Sequence, residues 1–169
     1  MKSTLIILIS IFFTACSAPK AALKTVEKVN INKYIGTWYE IARYEHFFEV
    51  GCLDVSATYT LRENGEIDVL NRCTKEGELS EAKGRAYATD ATNSKLKVSF
   101  FWPFYGDYWV LMLDEKYEYA VIGEPSREYF WILSRNKTLN EQTKEKILSK
   151  MPELGYEEKQ LIWTTQTNK

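Results

Sequence analysis

The chain has 169 residues, 22 of them basic and 23 acidic, for a formal net charge of −1. That balance excludes the basic face of a nucleic-acid binder and the polybasic patch that docks on anionic lipid. Aromatic residues reach 14% (11 Tyr, 8 Phe, 5 Trp), a richness that suits a β-rich fold with a lined cavity and equally any β-sandwich.

Lys2 gives a positive start, and residues 5–13 form an apolar run interrupted only by Ser10. The run falls short of the roughly 20 apolar residues that span a bilayer. Phe13-Thr14-Ala15-Cys16 places small residues ahead of a cysteine and resembles a bacterial lipoprotein signal, with Phe13 where Leu is usual. The alternative is an ordinary secretory signal with an incidental cysteine. On the lipoprotein reading residues 1–15 are removed and Cys16 becomes the acylated first residue, anchored stably because it carries more than one acyl chain. Ser17, in place of Asp, resembles the class sorted to the outer membrane. Residues 16–30 show little apolar periodicity and are expected to form a flexible lipidated tether. One domain is expected over residues 31–169.

The first strand is expected at 36–43, opened by Gly36-Thr37-Trp38-Tyr39-Glu40. Val55, Ala57, Tyr59 and Leu61 then alternate with Ser56, Thr58, Thr60 and Arg62. This period of two is what an antiparallel sheet with one wet face requires. Asn64-Gly65 is a strong hairpin signal, beyond which Ile67, Val69 and Asn71 continue the alternation. Gly84, Ala86 and Ala88 oppose Lys83 and Arg85, and Leu96, Val98 and Phe100 oppose Lys95, Lys97 and Ser99. Segments 108–113, 118–123 and 129–135 are apolar on both faces, like the first strand, so something must cover their outer side. Leu139, Thr143, Ile147, Met151 and Leu154 supply the cover at helical spacing. Thr138-Leu139-Asn140-Glu141 reads as a capping box and Gly155 as a stop. A ninth strand is expected at 160–164. Cys52 and Cys73 flank the first hairpin, and export would place them in an oxidising compartment. The expected disulfide would stabilise the fold by about 3 kcal/mol; two unpaired buried cysteines are the alternative.

Trp131-Ile132-Leu133-Ser134-Arg135 follows the Gly36–Trp38 motif by about 95 residues. With the strands between them, these two motifs resemble the lipocalin family over about residues 30–166. The resemblance implies an all-β fold: an eight-stranded antiparallel up-and-down β-barrel with one C-terminal α-helix packed outside. It implies that Gly36 lets the chain turn into the first strand, that Trp38 plugs the barrel floor, and that Arg135 lies over the indole. Residues 37–49, 57–65, 96–110 and 129–135 resemble the bacterial outer-membrane subgroup (Blc), with plant temperature-induced lipocalins and apolipoprotein D as nearby relatives. Some lipocalins of this subgroup carry cysteines in places matching Cys52 and Cys73. The family's middle motif is degenerate here, as Asp114-Glu115-Lys116, and no role is assigned to it.

With Trp38 and Arg135 at the floor, strand parity puts loops one, three, five and seven at the mouth. Loops one (45–49) and five (101–107) are aromatic. They either fold back to complete the core, or form a hydrophobic lip that admits an acyl chain, touches a membrane or pairs with a second copy as a homodimer. An eight-stranded barrel has room for side chains or one small ligand. The inward positions Ala42, Ala57, Gly84, Ala86 and Ala88 are small, and Tyr59, Val69, Val98, Phe100 and Tyr108 complete the expected ligand-binding wall. Glu40 and Asn71, inward by parity, are either members of a buried network or ligand contacts. With no excess of inward charge, the expected ligand is apolar with a polar head near the mouth; with the lipoprotein signal and the small-lined barrel, the resemblance to the Blc subgroup implies a fatty acid or a lysophospholipid.

His46 is the single histidine and is expected on the surface of the rim. Without a second imidazole, a His-based zinc site has little support, and no G-x-S-x-G, P-loop or dinucleotide motif appears. No catalytic residue, cofactor, metal or nucleic-acid partner is expected. The leading expectation is a lipid-anchored protein of the outer membrane, its barrel facing the periplasm, that stores or transports its ligand during envelope maintenance. Two others stand beside it. One is an enzyme acting on a lipid or quinone-like molecule through His46 or Glu40. The other is a ligand-free interaction lipoprotein whose rim joins two copies.

Overall fold

The structure, a computed structural model, describes residues 22–167. Its strands are β1 (Gly36–Arg43), β2 (Cys52–Leu61), β3 (Ile67–Lys75), β4 (Glu78–Ala88), β5 (Lys95–Phe101), β6 (Phe104–Leu113), β7 (Tyr119–Gly123), β8 (Phe130–Ser134) and β9 (Ile162–Trp163). They form one sheet in the order β2-β3-β4-β5-β6-β7-β8-β1-β9, and β1 also pairs with β2, closing the first eight strands into an antiparallel up-and-down barrel. The alternation sorts side chains into two clusters. Trp38, Tyr59, Ile67, Val69, Ala86, Leu96, Val110, Ile122 and Leu133 fill the lower barrel. Ile41, Ala42, Leu111, Val121 and Ile132 face outward beneath Ile147 and Met151 of helix α2 (Glu141–Leu154). Asn140, not Thr138, caps that helix: its side chain accepts from Thr143 N at 2.8 Å, so the helix begins two residues later than the capping-box pattern predicts. Gly155 ends it, as expected.

Three features depart from simple period-two reading. First, β1 carries a bulge. Glu40 pairs with Leu133 and Ala42 with Ile132, leaving Ile41 as the extra residue. A bulge reverses the facing of everything beyond it. Ala42 therefore lies outside, fully buried in the cluster under α2. This corrects its expected place on the inner wall. Arg43, which pairs with the inward Trp131, turns into the barrel instead.

Second, β1 and β2 pair directly only where Gly36–Tyr39 meets 56–59. Beyond that the C-terminal tail occupies the seam. Thr164 N donates to Ile41 O, Asp54 N to Thr165 O, and Gln166 Nε2 to both Glu40 O (2.9 Å) and Val55 O (2.8 Å). Third, the predicted seven-residue fifth loop is a hairpin with a two-residue tip, because Phe101 pairs with Phe104. The β4–β5 ladder runs only from Ala88–Leu96 to Arg85–Ser99, so the β3–β4 and β5–β6 hairpins splay apart above it.

Within the stretch expected as a flexible tether, the described residues are seated on the barrel from Leu23 onward. Val26 N donates to Val110 O at 2.9 Å, Val29 N donates to Thr92 O at 2.8 Å, and Val29 is buried. Two valines three residues apart give the segment an apolar face that overrides its polar composition. It leads into a single helical turn, α1 (Ile31–Tyr34). Cys16 lies outside the described residues. Cys52 and Cys73 are joined as a disulfide between β2 and β3, with Cα atoms 5.4 Å apart.

Candidate functional site

The floor is built around Trp38. Its ring is fully buried, its Nε1 donates to Tyr34 O at 2.8 Å, and the Arg135 guanidinium lies 3.8 Å above it. Arg135 also donates to the carbonyls of Thr37 (2.8 Å), Lys33 (2.9 Å), Tyr34 (3.0 Å) and Ile35 (3.0 Å), so it ties the end of α1 to the start of β1. Gly36 has φ +96° and its absent side chain would point at the Arg135 guanidinium, 3.4 Å away. A Cβ there would meet both strain and the cation.

Above the floor stand three tyrosines. Tyr34 and Tyr59 both bond to the Tyr108 hydroxyl, at 2.6 and 3.0 Å. Burial raises all three phenols, Tyr59 to about 12 and the other two well above their ordinary value, so the trio is neutral. The upper wall is more open. Ala57, Asn71, Gly84, Val98, Tyr108 and Trp131 are only half-buried, although sheet parity turns them inward; Ala88, nearer the floor, is half-buried too. Val69 and Ala86 are buried in the floor cluster. The Phe100 ring packs over Gly84, where a Cβ would come within 2.8 Å of it, yet Phe100 remains exposed.

The mouth holds charge that strand parity did not reveal. Arg43 is 4% exposed and stands between two carboxylates, with Nη1 3.6 Å from Glu40 Oε1 and Nε 3.3 Å from Glu49 Oε2. Glu49 comes from a 3-10 turn in loop one, Phe47–Glu49, that folds inward. Arg43 Nη2 donates to Glu49 O at 3.0 Å, and Trp131 Nε1 donates to Glu49 Oε2 at 3.3 Å. Glu40 accepts a short hydrogen bond from Thr164 Oγ1. Burial, then the neighbouring Glu49, raises Glu40 to about 8, and burial raises Glu49 as well. His46 is 5% exposed, which corrects its expected place on the surface. Its ring stacks on Tyr129 at 4.7 Å and lies 4.8 Å from Trp131. Burial and the Arg43 charge push its pKa down to about 4, so it is neutral.

Among the described residues, five buried side-chain polar atoms lack a hydrogen bond: Arg43 Nε, His46 Nε2, Asn71 Oδ1, Ser99 Oγ and Gln166 Oε1. Arg43 Nε and His46 Nε2 lie together at the mouth and Asn71 Oδ1 is inward by parity, whereas Gln166 Oε1 belongs to the β1–β2 seam and Ser99 pairs with the outward Arg85. Native proteins leave few such atoms without a partner, so the Arg43 and His46 nitrogens mark a place at the mouth where a polar group would be welcome. Around them the lip is apolar and bare. Phe47 is 85% exposed, Trp102 80% and Phe101 76%, with Phe104 and Leu79 close behind. These aromatics do not fold back into the core. A separate hollow of about 600 Å³ lies at the closed end, between residues 28–32, Leu61, Asn93 and Tyr117. It is outside the barrel and far from the orphaned polar atoms.

The missed residues left one sequence signal. Glu40 and Arg43 are opposite charges three apart on a strand apolar on both faces, and without a bulge one of them would face the covered apolar side.

Residues 29–166 match the family model described as a lipocalin-like domain. The chain is 41% identical over 157 residues to the outer membrane lipoprotein Blc of Escherichia coli K12, covering 90% of this chain and 89% of the relative. It is 39% identical over 159 residues to temperature-induced lipocalin-1 of Arabidopsis thaliana, covering 88% of this chain and 86% of the relative. Among solved structures, insecticyanin of the tobacco hornworm Manduca sexta superposes with a TM-score of 0.72 at 21% identity, covering 86% of this chain and 85% of its own; that likeness speaks to the fold.

Proposed function

This chain belongs to the lipocalin family, and from that membership we propose that it binds a fatty acid or a lysophospholipid in its barrel, held at the outer membrane by an acylated Cys16 with the barrel facing the periplasm. The carrying observation is the inner wall of the barrel. It is half-buried and mostly small or apolar, which suits an acyl chain, and the unpartnered Arg43 Nε and His46 Nε2 lie at the mouth, where a headgroup would sit. The relatives named as outer membrane lipoproteins support the location. The ligand-contacting residues proposed are Ala57, Tyr59, Asn71, Val98, Phe100 and Tyr108 on the wall, with Glu40 at the mouth and Val69, Ala86 and Ala88 toward the floor.

Full-length protein extracted in mild detergent should carry a co-purifying fatty acid or lysophospholipid near one per barrel, identified by mass spectrometry. After delipidation it should take up a fluorescent fatty acid saturably. Ala57→Trp, at a half-buried wall position, should abolish uptake while the cooperative melt persists. A protein that emerges empty and refuses added lipid sinks the proposal. One observation favours a second reading: the bare aromatic lip suits self-association. An empty barrel with a dimer that disperses when the lip is made polar would favour that role.

A further inference from the structure

We propose that Arg43, together with the Trp131 indole N–H, is the site for the anionic headgroup of the ligand, and that Glu49 holds this place as a built-in carboxylate until the ligand's anion displaces it. This inference rests on the ligand-binding reading above and adds the chemistry of the head and the gate that guards it. Arg43 is a cation that the β1 bulge turns into the barrel, in register with the inward Trp131 of β8. What it contacts is a carboxylate on a loop. Glu49 Oε2 lies 3.3 Å from Arg43 Nε and 3.3 Å from Trp131 Nε1, one oxygen shared between two donors. The fit is imperfect, since Arg43 Nε is buried without a properly directed hydrogen bond, and the nearby His46 Nε2 has none either. A guanidinium presents a planar fork that a free carboxylate can meet with both oxygens. Glu49, tethered by its backbone, meets it with one. Glu40 does not cancel the charge, because burial leaves its carboxyl largely protonated at neutral pH.

The same contact locks loop one. Arg43 Nη2 donates to Glu49 O, and His46 is sandwiched against Tyr129 and Trp131. An incoming anion that replaces Glu49 on Arg43 frees the turn bearing Phe47 and Phe48, both exposed at the lip. Headgroup capture and opening of the first loop are therefore one event. A neutral lipid of equal chain length lacks the means to trigger it.

The test compares oleate with oleyl alcohol on delipidated full-length protein at about pH 7, where Glu40 keeps its proton, by displacement of the neutral probe N-phenyl-1-naphthylamine. Glu49→Gln keeps an acceptor oxygen for Trp131 but removes the competing charge. It should tighten oleate binding by about tenfold, the scale of one charge-assisted hydrogen bond, and leave oleyl alcohol unchanged. Arg43→Met should erase the preference for oleate over the alcohol. If Arg43→Met does not fold, Glu49→Gln carries the test alone. Equal changes for both ligands in Glu49→Gln, or no change in either, overturn the built-in competitor. An unaltered oleate-to-alcohol ratio in Arg43→Met overturns the headgroup site. Wild-type protein that binds neither ligand overturns the binding reading and this inference with it; binding without discrimination overturns only the inference.

Discussion

Arg135 shows how much one side chain at the floor is asked to do. Its guanidinium covers Trp38 and satisfies carbonyls at the end of α1 and the start of β1. Arg135→Ala forfeits the cation–π contact and leaves those carbonyls to water or to nothing. Urea unfolding should report a loss of about 2–4 kcal/mol. Arg135→Lys should recover only part of it, because an ammonium cannot reach all of those oxygens. Equal stability of wild type and Arg135→Ala would mean the floor closes without the cation. At the other end, two buried titrating groups work in opposite directions. Glu40 holds its proton to about 8 in the fold, against an ordinary value of 4.5. Its contribution is complete below about pH 4.5 and is lost as pH rises toward 8. His46 falls from 6.5 to about 4, so its contribution is complete above about pH 6.5 and is lost as pH falls toward 4. Urea midpoints across that range should decline less steeply with rising pH in Glu40→Gln. They should decline less on acidification in His46→Phe, which keeps the ring stack. Parallel profiles for wild type and Glu40→Gln would mean Glu40 does not titrate in this window.

Secondary structure was legible where a single face decided each residue's identity. Val55, Ala57 and Tyr59, then Ile67 and Val69, declare β2 and β3 by alternation alone, and the apolar spacing of Ile147 and Met151 declares α2. What alternation cannot show is an inserted residue. Once Ile41 bulges, Ala42 and Arg43 exchange sides, and with them the nature of the mouth changes from apolar to charged. Glu49 and His46 were hidden for a related reason: a loop residue has no period, so its burial depends on what the fold offers it. Alternation expects Phe100 on the inner wall, but the room that Gly84 leaves for its ring is something no pattern reports. The C-terminal tail was legible as a strand but not as a seal. Gln166 bridges Glu40 O and Val55 O across the gap that β1 and β2 leave. Gln166→Ala breaks both hydrogen bonds, and should lower stability by about 1–3 kcal/mol. Hydrogen exchange should quicken at β1 and β2 near the mouth and stay slow at Gly36–Tyr39, where those strands still pair directly. Uniform quickening would mean the seam is not a separate unit.

The molecule as a whole has a sharp polarity. Its closed end is sealed by Trp38, Arg135 and the N-terminal segment. Its open end carries Phe47, Leu79, Phe101, Trp102 and Phe104 on three loops that project past the barrel wall. Side chains that stand in water contribute little to folding, since burial is the source of hydrophobic stabilisation. Phe101→Ser, Trp102→Ser and Phe104→Ser combined should therefore leave the melting temperature nearly unchanged, a result that separates the lip from the core. The same change removes most of the apolar surface an acyl chain would meet on leaving a bilayer for the barrel. On the proposed function, equilibrium affinity for a soluble fatty acid should shift little, while transfer of that fatty acid from phospholipid vesicles should slow several-fold. Sedimentation of the two proteins separates the competing use of the lip. A wild-type dimer that becomes a monomer, with transfer rates unaltered, would assign the aromatics to pairing copies. A monomer throughout, with slowed transfer, would assign them to the path the ligand takes. A lip that moved neither quantity would leave its exposure without a function at the barrel mouth, and the case for acyl-chain entry there would fall.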